Sequence, residues 1–237
     1  MEKNIKYLKI YEFNKKKRLG INSDGGYIIA LLNGIYDFYI SAGVSTEESF
    51  TRDFIELYNM NKHNCAAFDG TIDSYPTDYT DKIIFYKRNI SAIRTDTTSN
   101  LGHFTDNYND IFLKMDIEGS EYPWLNSLNE NQLKKFKQIV IEFHGINDDS
   151  WNTILSDKIN CFKKLSNTHY AVHIHGNNYW SLTENIPDTV EITYIRKDQI
   201  NNDILTLNTI PLPISELDFP NNPYQDDYDL NFPPFVN

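Results

Sequence analysis

Three carboxylates fall in the short run Leu113-Lys114-Met115-Asp116-Ile117-Glu118-Gly119-Ser120-Glu121, directly behind apolar residues. Carboxylates at the end of a buried strand need a cation, a hydrogen-bond network or solvent, because burying them unpaired is costly. A helix start accounts for Glu121 through the helix dipole but leaves Asp116 unexplained. A second apolar run, Ile139-Val140-Ile141-Glu142-Phe143-His144, sets Glu142 and His144 two residues apart and so on one side of a strand. His173 and His175 repeat that spacing. Two chemistries suit this set. Asp116, Glu142 and His144 offer the mixed oxygen and nitrogen donors that Mg, Mn, Fe or Zn accept. Alternatively, His144 or His175 acts as a general base, with Asp116 and Glu142 orienting it or binding hydroxyl groups. Each strand histidine also has a plain structural reading as a satisfied core residue, and the metal-free base is favoured over the metal.

A second group of residues suits a nucleoside ligand. Ser41-Ala42-Gly43-Val44-Ser45 ends an earlier apolar run. Gly43 would let a ligand approach the backbone, and a helix N-terminus behind it would favour a carboxylate, although an ordinary tight turn explains the glycine as well. Ser45 and Glu48 have capping-box spacing, followed by Phe50, Phe54, Leu57 and Tyr58 at helical intervals. Asp69 ends the next strand and can accept both hydroxyls of a ribose, or simply form a turn with Gly70. Ser41, Gly43, Ser45 and Asp69 are therefore the candidate cofactor contacts.

The elements that must position these groups alternate. Strands are expected near 36–42, 65–68, 83–86, 111–117, 138–143, 170–174 and 190–195, with helices after the first and between 149 and 166. Alternating strands and helices imply a mainly parallel, buried sheet that binds ligands at its carboxyl edge. Gly43, Asp69 and Asp116 should share that edge, and His175 should reach the Asp116–Glu142–His144 group from the sixth strand. The stretches 70–82 and 91–110 are polar and weakly periodic, suited to loops or short helices over the site. The segment from about 211 to 237, rich in Pro, Asn and Asp, reads as an irregular surface tail of a single domain spanning 1–237.

The run Leu113–Glu121, taken as Leu-Lys-x-Asp-x-Glu-Gly-x-Glu, together with Ile139–His144, resembles the FkbM-like family of S-adenosylmethionine-dependent methyltransferases. The resemblance covers about 36–144. It implies a Rossmann-like class I methyltransferase fold with seven strands flanked by helices, bound S-adenosylmethionine, and methyl transfer to a sugar or other hydroxyl acceptor. Ser41–Glu47 departs from the family's usual Asp-x-Gly-Ala-Asn-x-Gly loop.

Composition narrows the partners. The chain has 237 residues, 40% hydrophobic and 23% charged, with a formal charge of −11. That charge repels a phosphate backbone, so a small molecule or glycan is expected as substrate and nucleic acid is not. The run Lys15-Lys16-Lys17-Arg18 reads as solvated surface. Cys65 and Cys161 suit buried positions rather than a disulfide framework. No apolar stretch is long enough for a bilayer and no secretory pattern opens the chain, so a cytoplasmic protein is expected. A catalytically silent cofactor-fold binding protein and a metal-dependent hydrolase built on the Asp/Glu/His group are the competing functions.

Overall fold

The computed structural model describes residues 5–76, 78–200 and 205–237. A hairpin of β1 (Lys16–Leu19) and β2 (Tyr27–Ala30) opens the fold, followed by β3 (Phe38–Ala42), α1 (Ser49–Tyr58), β4 (Cys65–Phe68) and β5 (Ile84–Tyr86). A short parallel pair, β6 (Asn89–Ile90) and β7 (Thr98–Ser99), leads to α2 (Gly102–Asn107) and β8 (Ile111–Met115). Then come α3 (Glu121–Ser127), α4 (Glu130–Leu133), β9 (Phe136–Phe143), α5 (Leu155–Thr168) and β10 (His169–Gly176). The small pair β11 (Leu182–Thr183) and β12 (Ile186–Pro187) precedes β13 (Val190–Arg196).

Seven of these strands form one sheet in the order β10-β13-β9-β8-β3-β4-β5. The ladders joining β5, β4, β3, β8 and β9 are parallel, and β13 alone runs antiparallel, between β9 and β10. All seven strands lie where apolar runs predicted them. The strands are buried because both faces are covered. Phe38, Ile40 and Ala42 point to one face, against Trp124, Leu125, Phe162 and Leu165 of α3 and α5. Tyr39 and Ala67 point to the other, against Phe50 and Phe54 of α1 and Tyr27 and Ile29 of the hairpin. Phe50 and Phe54 are each worth roughly 1.5–3 kcal/mol of buried apolar surface, and their spacing of one helical turn is what turns both inward.

Four local expectations are corrected. The Ser45–Glu48 capping box does not form. Ser45 takes a positive φ of 50° and gives its N–H to Asp69, so the helix starts only at Ser49, where Glu48 makes no side-chain cap. The later helix begins at Leu155, not near 149, because Trp151 and Asn152 both have positive φ. The basic run is a strand: Lys15 and Lys17 are exposed, but Lys16 and Arg18 are half-buried, and Arg18 Nη2 donates to Ser23 O at 3.0 Å. The C-terminal segment is irregular as expected, yet it is not a surface wrap. Leu212, Leu230 and Phe235 are buried in the main core.

Both cysteines are buried and unpaired, and burial pushes each thiol up to about 12, which removes them as nucleophiles. Among the described residues, no helix is long and apolar enough to cross a membrane.

Candidate functional site

Strand order reverses at β3, whose neighbours β4 and β8 lead away in opposite directions, and this is where such sheets open a crevice. Gly43, Asp69 and Asp116 follow β3, β4 and β8 and share that edge, as the sequence predicted. Gly43 has φ +79°, and a Cβ there would lie 1.6 Å from the Asp116 carbonyl oxygen, so only glycine lets the two chains pass this closely. A cavity of about 420 Å³ opens over them, within the range of small-ligand sites. Gly43, Ser45, Asp69 and Asn89 supply its polar wall, and Phe68, Ile90 and Ile117 its apolar one.

Asp69 holds the loop that forms this cavity. Its Oδ2 accepts from Val44 N at 3.0 Å and Ser45 N at 2.9 Å, and its Oδ1 accepts from Thr71 N at 2.7 Å and Thr71 Oγ1 at 2.6 Å. Burial alone would raise this carboxyl, but the Ser45 amide and the Thr71 donors outweigh it and hold it below the usual range. With its four lone-pair directions used, Asp69 can take a ribose hydroxyl only in place of one of these donors, and the Thr71 hydroxyl is the mobile one. Ser41 does not line the cavity. It is buried under α1, where its hydroxyl donates to Glu48 Oε1 at 3.2 Å.

A second cavity, of about 340 Å³, lies on the other side of Asp116 and Glu118, and these two residues line both. Asp24 and Glu142 complete its acidic side, with the His144 imidazole beside them. Asn177, Tyr179 and Trp180 close it, and the two aromatic side chains are 56% and 39% exposed at its lip.

Asp116, Glu142 and His144 do come together: one ligand atom from each lies within 4.8 Å of the other two. His144 is buried. Its Nδ1 is 3.2 Å from Glu121 Oε1, which also accepts from Ile117 N. Its Nε2 faces Glu118 Oε2 at 3.4 Å and Asp116 Oδ1 and Glu142 Oε1 at 4.0 Å each. The ring packs on Trp151, centroids 4.7 Å apart, and Trp151 in turn meets Trp180. Burial would lower the imidazole's pKa, but Glu121, Asp116 and Glu118 together raise it. Burial is also the main reason Glu142 is held well above the usual carboxylate range, reinforced by Asp116 and Glu191.

His175 is not brought to this group. The insertion of β13 puts a whole strand between β10 and β9. His175 is instead clamped between Glu191 Oε2 (3.3 Å from Nδ1) and Asp227 (2.9 Å from Nε2). His173 likewise pairs with Asp218 at 2.8 Å.

Sequence reasoning missed several contributors. Tyr27 reaches across from the hairpin, its OH 3.3 Å from both Asp116 Oδ2 and Glu142 Oε2. Asn177 donates to Glu142 Oε1 at 2.8 Å. Neither position carries a local signal. Glu191 did carry one, as a carboxylate inside an apolar strand.

A mostly parallel seven-stranded sheet with one antiparallel insertion, and a cavity at its switch point, defines the Rossmann-like methyltransferase class. The chain belongs to the Methyltransferase FkbM domain family, whose sequence model matches residues 3–173. No curated protein matches it. Among solved structures, it is similar at 11% identity to a chain of a fibrillarin/Nop5p complex, with a TM-score of 0.38, covering 68% of this chain and 72% of that one. It is also similar at 11% identity to precorrin-6y C5,15-methyltransferase from Geobacter metallireducens GS-15, with a TM-score of 0.36, covering 70% of this chain and 83% of that one.

Proposed function

We propose that this methyltransferase uses S-adenosylmethionine to methylate a hydroxyl of a small polyhydroxylated acceptor, a sugar, nucleotide-sugar or glycan. The observation that carries the reading is the shared wall of the two cavities. Asp116 and Glu118 face both, so a donor in one and an acceptor in the other would meet across them. The first cavity fits the donor: Asp69 suits ribose hydroxyls, and Phe68, Ile90 and Ile117 offer apolar surface to a purine. The second fits a sugar. Carboxylates and Asn177 can bind several hydroxyls, and the exposed rings of Tyr179 and Trp180 suit the apolar face of a pyranose.

S-adenosylmethionine, when bound, supplies a methyl group already activated on a sulfonium. The chain's own task is to place the acceptor and take its proton, since an alcohol is a poor nucleophile while protonated. His144 is assigned that role. Glu121 fixes its Nδ1 as the donor nitrogen and leaves Nε2 turned toward the acceptor cavity. Asp116 and Glu142 orient hydroxyls beside it. A second reading is favoured by the close approach of Asp116, Glu142 and His144: a divalent ion on these three would polarise the hydroxyl as a Lewis acid.

Calorimetry with S-adenosylmethionine and S-adenosylhomocysteine, followed by mass spectrometry of reactions with a panel of sugars, nucleotide-sugars and glycans, tests the proposal. Micromolar binding and an added methyl on oxygen are expected. Absence of binding to either compound would sink the assignment in favour of a silent binding protein or a hydrolase. Full activity in chelator would remove the Lewis-acid reading alone.

A further inference from the structure

The cavity assigned to the acceptor is small and its walls are anionic. Its volume of about 340 Å³ is at the low end for small-ligand sites, so most of a larger acceptor must lie outside it. Asp24, Asp116, Glu118 and Glu142 line it, and none of the described residues lining it is lysine or arginine. The positive groups nearby are engaged elsewhere. Lys114 Nζ donates to Gly43 O at 3.0 Å, and the Arg18 guanidinium donates to Ile21 O and Ser23 O, each at 3.0 Å. His144 already faces Glu121 and Glu118. A diphosphate entering here would meet like charge with nothing to pair it.

Apolar surface continues outward from the cavity's mouth. Tyr179 and Trp180 at the lip lead into β11, where Leu182 is 43% exposed. Exposed short polar side chains interleave with these groups, Ser181 before Leu182 and Thr183 after it. The segment is pinned from several directions. Asn177 Oδ1 accepts from Tyr179 N at 2.9 Å, Asn147 Nδ2 donates to Ile186 O and Pro187 O at 3.1 and 3.2 Å, and the Tyr228 hydroxyl donates to Trp180 O. Trp180 also packs edge-on against Trp151, centroids 5.2 Å apart. Large apolar side chains held in water by that many anchors mark a preorganised binding surface, not a slack loop.

We propose, resting on the transferase reading above, that the acceptor is a neutral glycan chain and not a nucleotide-sugar: one sugar unit enters the carboxylate-lined cavity and the next lies along Tyr179, Trp180 and Leu182. Carboxylates and the Asn177 amide bind hydroxyls without calling for charge on the ligand. On the strip outside, the flat rings take the apolar face of a sugar while Ser181 and Thr183 reach its hydroxyls. A wholly apolar group laid there would cover both hydroxyl side chains without giving them partners.

The test is calorimetry on the full-length protein, with and without S-adenosylhomocysteine. The probes are glucose, galactose, mannose, xylose and N-acetylglucosamine, each as the free sugar, as its nucleoside diphosphate conjugate with Mg²⁺ present and absent, and as linear tri- and tetrasaccharides. In at least one series the oligosaccharide should bind about five- to tenfold tighter than the free sugar, the size of one added ring contact, and the nucleotide conjugate no tighter than the free sugar. Tyr179→Ala and Leu182→Ala, both at exposed positions, should erase most of that ratio. Mass spectrometry of the same mixtures reads methyl transfer separately. Oligosaccharide binding without transfer would sink the transferase reading and leave the glycan strip standing. Tightest binding of a nucleotide conjugate, no oligosaccharide advantage in any series, or an advantage that survives both variants would overturn the proposal.

Discussion

The two halves of the sheet solve different problems. On the side of β5, β4, β3 and β8, the cavity proposed for the methyl donor is shaped largely by backbone: Gly43 passing Asp116, and the amides of Val44, Ser45 and Thr71 gathered by one carboxylate, Asp69. On the side of β9, β13 and β10, side chains carry the work. Glu142, His144, His173, His175 and Glu191 are all buried, and each depends on partners from distant segments. A backbone-built site constrains few side chains, here chiefly Gly43 and Asp69. A network of buried charges is specific, and removing one partner strands another.

The comparison is broken most strongly at His144. His144→Ala should leave S-adenosylhomocysteine affinity unchanged and lower turnover by on the order of 10²–10⁴-fold. Equal loss of cofactor binding would show that the two halves are not separable. In the donor half, Asp69→Asn should weaken cofactor binding by roughly 1–3 kcal/mol, about five- to 150-fold, by removing an acceptor oxygen and disturbing the amides it gathers. Calorimetry checks this, and unchanged affinity in a folded variant would remove Asp69 from the ribose.

A pH measurement sharpens the contrast. Burial would lower the His175 pKa, but the hydrogen bonds to Asp227 and Glu191 outweigh it and raise it to about 10. A histidine raised in the folded state stabilises fully below its unfolded value of about 6.5, and that contribution is lost as pH climbs from there through about 10. His169 behaves oppositely: burial, the main cause, lowers it to about 4, so it costs stability as pH falls from about 6.5 toward 4. Denaturant titrations across pH 4–10 should show both flanks. Asp227→Asn should bring the alkaline loss closer to neutrality, and an unaltered alkaline flank would refute the clamp. The smallest effect is expected at the rim. Trp180→Ala should raise the acceptor KM about three- to tenfold with little change in kcat, the size of one lost ring contact. A fall in kcat instead would assign Trp180 to positioning His144 through Trp151.

The donor half was legible because its signals are contiguous. Gly43, Asp69 and Asp116 each end an apolar run, and alternation of strands and helices is enough to bring such ends to one edge. The acceptor half was legible only in part. Glu142 and His144 share a strand, so their common side followed from the period of two. His175 was misplaced because sequence order suggested that the sixth strand lies beside the fifth, and the later β13 intervenes. The capping box failed for a related reason: Asp69, a distant residue, competes for the Ser45 amide.

By itself, then, the sequence determined the seven buried strands of the main sheet, the carboxyl-edge location of the motif residues and the family resemblance. These follow from local periodicity and short-range spacing. Only the tertiary structure decided which charges meet. Tyr27 on Asp116 and Glu142, Asp218 on His173, Asp227 on His175, and Asn221 between Asp24 and Glu191 all join segments far apart in the chain. Coulomb and hydrogen-bond energies depend on distances of a few ångströms, and a linear sequence carries no record of these until the C-terminal segment has packed against the sheet.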